Sequence, residues 1–363
     1  NMERPEDAAV VAKRIGESMR KPLVVEGRWV TVTTSIGIAI YPDDGSDGAT
    51  LLRHADTAMY RAKQTGRDNA QSYRPVLTSQ LVKRMELDSD MRAALEQGQF
   101  HLVYQPQVDA ASGRIRSVEA LIRWLHPLHG LIPPLDFIPR AEENGLINPM
   151  GLWVLRTACA QAVQWSQAGT PVAVAVNLSP VQFRSPCLQQ SVLDVLAQTG
   201  LAPELLELEV TESALIENAD ATGLVLKALS DTGIGIALDD FGTGYSSLAY
   251  LTRMPIDNIK IDKCFIDGVT GGGESGAIVR AILAMAHSLG KRVTAEGVET
   301  LEQARAMQAM ACDCMQGYYF SRPVAAVDIP LLLSRQWLTV DPGPPAGGRG
   351  HLTLVGRTQP CAL

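Results

Sequence analysis

The feature that most constrains this chain is an alternation of short apolar segments with helical segments, repeated about eight times from Phe100 onward. Parallel strands need crossover connections, which are usually helices, so the alternation predicts parallel strands joined by helices. Eight such units in about 230 residues fit an eight-stranded β/α barrel, with an open doubly wound sheet as the alternative. The predicted strands are His101–Gln105, Ile115–Arg123, Val172–Asn177, Leu205–Thr211, Ile234–Asp239, Asn258–Ile261, Arg292–Glu296 and Cys314–Tyr318.

The chain divides into four segments of different character. Its 363 residues exceed the roughly 150 that one domain usually takes. Residues 1–77 indicate a helix, two strands at Val24-Val25 and from Trp29 to Ile40, a second helix and a short strand. Residues 78–98 are spaced as an amphipathic connecting helix. Residues 99–338 hold the barrel, and residues 339–363 are rich in proline and glycine, which predicts a disordered tail. The first residue is Asn1 and no signal peptide is present, which suggests a piece of a longer protein whose missing N-terminal domains could anchor it to a membrane.

Composition excludes several classes of protein. Apolar residues make up 46% and charged residues 20% of the chain, so a large core is expected. The net charge of -7 disfavours nucleic acid as a partner, although bound cations would let an acidic protein accept an anionic substrate. No apolar run approaches the ~18 residues of a membrane span. The six scattered cysteines, including Cys312 and Cys314, form neither a disulfide framework nor a zinc set, so a reducing, cytoplasmic location is expected.

Polar side chains cluster where the predicted strands end, which is where a β/α barrel carries its working residues. A single acid at a strand end is usually a helix cap or a solvated charge. Several carboxylates that meet at one barrel mouth would repel one another unless cations neutralised them. Oxygen ligands without histidine or cysteine favour Mg²⁺ or Mn²⁺. The residues concerned are Gln105, Glu119, Arg123, Asn177, Glu209, Glu212, Asp239, Asp240, Lys260, Asp262, Glu296 and Gln316. Leu121 shares one strand face with Glu119 and Arg123 by its period-two spacing.

Two adjacent aspartates indicate how such cations would be arranged. The side chains of Asp239 and Asp240 can both point inward only if the strand has ended there. The pair suggests two metals with Asp239 as a bridge, a geometry suited to in-line attack on phosphorus. Lys260 could orient the attacking water or offset negative charge, with a structural salt bridge as the alternative. Glu207 lies deeper in its strand and is interpreted as structural, and the glycine-containing segment 241–245 as a mobile active-site loop.

Seven motifs occur in order along the barrel segment, and through them the chain resembles the EAL family of cyclic-di-GMP phosphodiesterases over roughly residues 80–336. The resemblance implies a TIM-type (β/α)8 barrel whose first strand runs antiparallel to the rest. It implies hydrolysis of one phosphodiester bond of cyclic di-GMP to linear 5′-pGpG, and a homodimer formed near the loop after Asp239. The motifs are VEALIRW around Glu119, NLSP at Asn177, EVTES at Glu209, DDFGTGYSSL at Asp239, KIDK at Lys260, AEGVET at Glu296 and QGYYFSRP at Gln316.

The resemblance also implies a role for each matching residue. Lys260 would position the attacking water together with Glu296, and Glu212 would brace the loop Asp239–Leu248. Asp262 would support the catalytic groups from behind. Metal ligands would be Glu119, Asn177, Glu209, Asp239, Asp240 and Glu296, two ions to a site. Substrate would contact Gln105, Leu121, Arg123 and Gln316, with Glu299 behind them.

The first segment resembles the closing third of a GGDEF (diguanylate cyclase) domain, through SIGIAIYPDDG from Ser35 and ADTAMYRAKQTGRDN from Ala55. The Gly-Gly-acid-Glu-Phe hairpin that binds GTP in that family does not occur in this sequence, so no cyclase activity is expected from this segment. Two alternatives to an active phosphodiesterase are a catalytically silent cyclic-di-GMP receptor and an unrelated two-metal hydrolase on the same fold. An acid or amide stands at every expected ligand position, which favours the enzyme.

Overall fold

The structure is a computed structural model of the 363-residue chain. The predicted tail 339–363, the first part of the predicted connecting helix and the centre of the predicted loop 241–245 lie outside the residues that it describes. The chain forms two compact units, Asn1–Gln97 and Gly98–Leu363. The described residues are 5–25, 28–30, 32–64, 68–73, 87–217, 219–242, 248–271 and 273–338.

The described residues of the first unit form three helices and two small sheets. Strands β1 and β2 pair antiparallel, and β3 and β4 pair parallel. Helix α2 lies close to β3, since a Cβ at Gly37 would stand 1.9 Å from the carbonyl oxygen of Ala55. The single strand expected after Trp29 is therefore two short strands in different sheets. The helices are α1 (Pro5–Met19), α2 (Gly48–Gln64) and α3 (87–96), and the strands are β1 (Leu23–Val25), β2 (Arg28–Val30), β3 (Ile36–Ile38) and β4 (Ala70–Ser72).

The second unit is a closed barrel of eight strands, as the alternation predicts. Strand β5 pairs antiparallel with both of its neighbours, β6 and β13, whereas the other barrel pairings are parallel. Closure through the β5–β6 pairing confirms the barrel and excludes the open doubly wound sheet. In ring order the strands are β5 (Phe100–Asp109), β6 (Ile115–His126), β8 (Ala173–Leu178), β9 (Leu206–Thr211), β10 (Gly235–Phe241), β11 (Asn258–Ile261), β12 (Arg292–Ala295) and β13 (Cys314–Gln316), and β7 (Gly130–Ile132) extends β6 as a hairpin.

Helices surround the barrel and bury its outward-facing side chains. Val174, Val176 and Leu208 are buried in one apolar core with Ala158 and Val192 of the helices. No described helix is long and apolar enough to cross a membrane. The helices are α4 (Pro134–Glu143), α5 (Ile147–Gln167), α6 (Leu188–Thr199), α7 (Glu212–Glu217), α8 (Ala219–Ser230), α9 (Leu248–Arg253), α10 (Lys263–Ile266), α11 (Glu274–Ser288), α12 (Leu301–Ala309) and α13 (Ile329–Leu333), with 3₁₀ turns at Pro180–Arg184, Pro203–Leu205, Val269–Gly271 and Ala326–Asp328.

The barrel interior is polar, whereas most β/α barrels fill this space with branched aliphatic side chains. Buried polar groups inside it include Gln107, Glu209 and Lys260. Small residues on neighbouring strands leave room for these long side chains. Ala237 of β10, for example, is fully buried and pairs in register with Glu209 of β9. Long charged and polar side chains therefore occupy the interior of the barrel.

Candidate active site

Lys260 is the centre of the polar interior. Its side chain is 1% exposed, and its Nζ lies 2.7 Å from Glu209 Oε2 and 2.7 Å from Glu296 Oε1. The same atom lies 3.2 Å from Asp239 Oδ1 and 3.8 Å from Glu119 Oε2. These carboxylates come from four different strands or strand ends, so barrel closure brings them together. A buried ammonium is tolerated only with such partners, because an unpaired buried charge is very costly.

The charges of this cluster shift one another's pKa values. Burial opposes the charged form of Lys260, but Glu119, Glu209 and Glu296 outweigh it and raise the Lys260 pKa well above its usual value. Burial and the nearby Glu119 raise the pKa of Glu209 well above normal, despite Lys260. Burial raises the pKa of Glu296 to about 8, against the attraction of Lys260. A single ammonium does not neutralise this many carboxylates, so the cluster favours additional cations.

Asp239 and Asp240 both contribute to the site because the backbone changes conformation between them. Asp240 has φ 54°, in the left-handed region that is unfavourable for most residues but accessible to aspartate. The pairing register of β10 with β11 shifts between Leu238 and Phe241. As a result Asp239, Asp240 and Glu296 each offer a carboxylate oxygen, and these oxygens lie within 4.8 Å of one another. Burial and the adjacent Asp239 raise the pKa of Asp240.

The remaining expected ligands adjoin this group. Asn177 Nδ2 donates to Glu119 Oε1 at 2.6 Å. Burial raises the Glu119 pKa, but Lys260 and the amides of Gln316 and Asn177 outweigh it and keep the pKa below normal. The donor set is thus carboxylate and amide oxygen. It suits a hard divalent cation such as Mg²⁺ or Mn²⁺ better than Zn²⁺.

Gln316 and Gln105 complete the polar wall beside Glu119. Gln316 Nε2 donates to Glu119 Oε2 at 2.6 Å and to Gln105 Oε1 at 3.2 Å. The other atom of that amide, Gln316 Oε1, is buried and has no hydrogen-bond partner among the described residues. Gln105 is not at a strand end as predicted, because β5 continues to Asp109. It reaches the site because β5 is antiparallel and pairs Gln105 with Glu119.

Two cavities flank the carboxylate cluster, and both include Leu121 and Asp239 in their walls. The first has a volume of about 430 Å³ and a largely apolar wall that includes Leu135 and Ile138 of α4, with Arg123 at its side. The second has a volume of about 310 Å³ and a polar wall that includes Gln316. A molecule that spans both cavities would therefore lie across the carboxylates.

Four other predicted site residues lie around this centre. Glu212 is largely buried at the start of α7, while most of the loop that it was expected to brace lies outside the described residues. Asp262 caps α10, where its Oδ1 accepts from the backbone N–H of Cys264 at 2.9 Å. Glu299 lines the polar cavity and forms an ion pair with Lys263. Arg123 Nη1 donates to the carbonyl of Ile122 at 2.9 Å.

Several further residues belong to the site that the sequence motifs did not indicate. Lys263 and Tyr318 line the polar cavity. Gln107 contacts Glu209 from the barrel interior, with Nε2 3.2 Å from Oε1. The period-two spacing of Gln105 and Gln107 was the available signal, because both side chains of a strand at that spacing face the same side.

Comparisons with known proteins agree with this geometry. Residues 88–323 match the EAL domain family, and residues 1–69 match the family described as diguanylate cyclase, GGDEF domain. The chain is 42% identical over 323 residues to the bifunctional diguanylate cyclase/cyclic di-GMP phosphodiesterase MucR of Pseudomonas aeruginosa, covering 89% of this chain and 47% of that protein. It is 40% identical over 319 residues to the cyclic di-GMP phosphodiesterase NbdA of the same organism, covering 88% of this chain and 41% of that protein.

A solved structure of a related phosphodiesterase has a similar fold. The PaMucR phosphodiesterase in complex with c-di-GMP superposes with a TM-score of 0.65 at 45% sequence identity, covering 67% of this chain and 99% of that one. The chain spans less than half the length of the two curated relatives, 47% and 41% respectively.

Proposed function

The chain belongs to the EAL domain family, and on that premise we propose that it hydrolyses one phosphodiester bond of cyclic di-GMP to give linear 5′-pGpG. The observation that carries the proposal is the convergence of four carboxylates on Lys260 between two cavities. The names of MucR and NbdA and the c-di-GMP complex of PaMucR support the choice of substrate.

The proposal includes two Mg²⁺ or Mn²⁺ ions at each site. Ions of this kind supply positive charge to the phosphodiester oxygens and acidify an attacking water. Asp239 would be one of the residues that hold them, because one of its carboxylate oxygens lies within 4.8 Å of oxygens of Asp240 and Glu296. The ligands would be Glu119, Asn177, Glu209, Asp239, Asp240 and Glu296.

The catalytic roles fall to Lys260 and Glu296. The carboxylates keep Lys260 protonated, so its Nζ can donate hydrogen bonds to the attacking water and offset negative charge as the P–O bond breaks. Glu296 Oε1, which lies 2.7 Å from Lys260 Nζ, would take the proton from that water. Glu212 and Asp262 would support the neighbouring loop and helix.

Substrate recognition would be divided between the two cavities. The apolar wall of the 430 Å³ cavity suits the face of a guanine base, and Arg123 at its side suits a phosphate. In the polar cavity, the buried Gln316 Oε1 is an acceptor for an N–H of the second guanine. Leu121 forms the wall between them, and Gln105 and Glu299 complete the polar side.

The proposal is tested by incubating purified protein with cyclic di-GMP and Mg²⁺ and separating the products by chromatography. The matched variants are Glu209→Gln and Glu207→Gln, which change neighbouring inward-facing acids of β9. Glu207 contacts Asn258 and Arg292 rather than Lys260, so Glu207→Gln should still yield 5′-pGpG, whereas Glu209→Gln should not. Tight binding of cyclic di-GMP without any cleavage by the unmodified protein would instead identify a silent receptor.

The same proposal extends to assembly and location. A homodimer formed through the barrel near the loop Asp239–Leu248 is expected, and sedimentation of the purified protein measures it directly. A cytoplasmic location is also proposed. Free thiols support it, because the five described cysteines are unpaired, as in reducing compartments.

A further inference from the structure

Gln107 is a buried glutamine that links Ser117 to Glu209, one of the proposed metal ligands, by hydrogen bonds. Its side chain is 1% exposed. Gln107 Nε2 donates to Glu209 Oε1 at 3.2 Å, and Gln107 Oε1 accepts from Ser117 Oγ at 2.6 Å. Strands β5 and β6 place Gln107 and Ser117 opposite each other in register. The three side chains thus form a continuous hydrogen-bonded row from β6 through β5 to β9.

The chemistry of these groups fixes the direction of the row. The carboxylate that binds a metal ion is ionised and can only accept hydrogen bonds, so in that form the amide must present its NH₂ group to Glu209. The serine hydroxyl then donates to the amide oxygen that remains and holds it in place. Ser117 therefore orients Gln107, and Gln107 orients Glu209.

Glu209 is held at both of its oxygens as a result. Oε2 accepts from Lys260 Nζ at 2.7 Å, and Oε1 accepts from Gln107. Its side chain is 0% exposed, so water does not compete for these positions. Groups that hydrogen-bond to a metal ligand fix its orientation, and their loss typically weakens metal binding or activity by about 10- to 100-fold.

We propose that Gln107 and Ser117 are positioning residues that hold the Glu209 carboxylate in the orientation that binds the divalent metal. The proposal rests on the proposed function, because it takes Glu209 as a ligand. Gln107 and Ser117 line a different cavity, of about 590 Å³, and neither is among the described residues that line the two catalytic cavities. Their loss should therefore weaken metal binding without changing the contacts to substrate.

The experiment measures Mn²⁺ affinity of the full chain by titration calorimetry for Gln107→Met, Ser117→Ala and the double variant. Methionine keeps the length of the side chain but donates no hydrogen bond, so the Mn²⁺ dissociation constant should rise by about 10-fold or more. Ser117→Ala should raise the Mn²⁺ dissociation constant by a smaller factor. In the Gln107→Met background Ser117→Ala should have no further effect, because the serine acts through the amide. At saturating Mn²⁺ the KM for cyclic di-GMP should be unchanged.

Thr294→Val is the matched control. It removes a fully buried hydroxyl inside the same barrel, whose hydrogen bonds join it to Asn258. It should lower the unfolding midpoint without changing Mn²⁺ affinity, so a loss of affinity in the Gln107 and Ser117 variants would not reflect general loosening. Ser117→Ala, a small truncation, keeps the test decisive if Gln107→Met does not fold.

Each result has a distinct meaning. Unchanged Mn²⁺ affinity in Gln107→Met would contradict the positioning role. So would a loss of Mn²⁺ affinity in Thr294→Val as large as that in Gln107→Met. If Ser117→Ala weakens Mn²⁺ binding by the same factor in the Gln107→Met background as in the unmodified protein, Ser117 does not act through Gln107. If the unmodified protein binds Mn²⁺ but does not cleave cyclic di-GMP, the proposed function fails while the positioning role is still decided by the affinities. If it binds no Mn²⁺, both are wrong.

Discussion

Lys260 Nζ lies 2.7 Å from Glu209 Oε2 although strand β10 separates their strands in the barrel ring. The two side chains meet in the barrel interior rather than along a shared strand edge. The lysine thereby links acids of strands that do not pair with its own, including Glu119 of β6. The candidate catalytic centre thus extends into the buried interior of the barrel, so changes to the site should also affect folding stability.

The first prediction concerns Lys260→Met. Without the ammonium, several buried carboxylates have no compensating charge, so the metal-free protein should lose about 3–5 kcal/mol of its unfolding free energy. Mn²⁺ should restore part of this loss, because it supplies the missing positive charge. Urea unfolding with and without Mn²⁺ measures both effects.

The same variant separates a catalytic role for Lys260 from a structural one. With Mn²⁺ bound, kcat should fall by about 10²-fold or more, as expected for a group that acts in the transition state. Binding of cyclic di-GMP, measured with Ca²⁺ to prevent turnover, should be near normal. Weakened binding with an unchanged kcat per folded site would assign Lys260 to structure alone.

The second prediction concerns the left-handed backbone of Asp240. Asp240→Gly and Asp240→Ala both remove the carboxylate, so both should weaken Mn²⁺ binding equally. They differ in backbone strain, because alanine is unfavourable at positive φ by about 1–2 kcal/mol and glycine is not. The glycine variant should therefore be the more stable of the two in urea unfolding by about 1 kcal/mol. Equal stabilities would mean that Asp240 is not left-handed in solution.

The third prediction concerns the apolar cavity. Ile138→Ala removes part of the wall proposed to contact a guanine, so kcat/KM should fall by about 10-fold, the effect of a few methylene groups in a hydrophobic pocket. Mn²⁺ affinity should not change. Leu331→Ala is the control, because that leucine is 73% exposed and lies on α13. A comparable fall of kcat/KM in both variants would show that the apolar cavity does not bind substrate.

The fourth prediction concerns the choice of cation. Mg²⁺ and Mn²⁺ favour compact octahedral coordination, whereas Ca²⁺ accepts more ligands at longer distances. Ca²⁺ should therefore occupy the carboxylate site and inhibit hydrolysis by misplacing the attacking water. Initial rates at fixed Mg²⁺ and increasing Ca²⁺ test this, and full activity with Ca²⁺ alone would contradict it.

The barrel could be predicted because its signals are local. Each barrel strand overlaps the segment predicted for it, since apolar runs and helical spacing are visible over a few residues. Periodicity could not predict that β5 is antiparallel, because the spacing of apolar residues is the same for parallel and antiparallel strands. That prediction rested on the family resemblance. For that reason the position of Gln105 inside β5, rather than at its end, required the structure.

The site was predictable in its residue types but not in its internal contacts. Carboxylates at successive strand ends indicated a cation site from the sequence alone. The capping role of Asp262 and the row from Ser117 to Glu209 depend on which side chains meet after the barrel closes. Such contacts join residues far apart in the sequence, as with the 102 positions between Gln107 and Glu209, and no local pattern encodes them.

The measurement that tests the account most directly is turnover and metal occupancy in the same sample. Mn²⁺ is titrated into metal-free protein in the presence of cyclic di-GMP, and 5′-pGpG and bound metal are quantified together. We expect no product in excess EDTA and a rate that rises with occupancy to a plateau at two ions per chain. Hydrolysis by metal-free protein, or a fully occupied site that leaves cyclic di-GMP intact, would contradict the account.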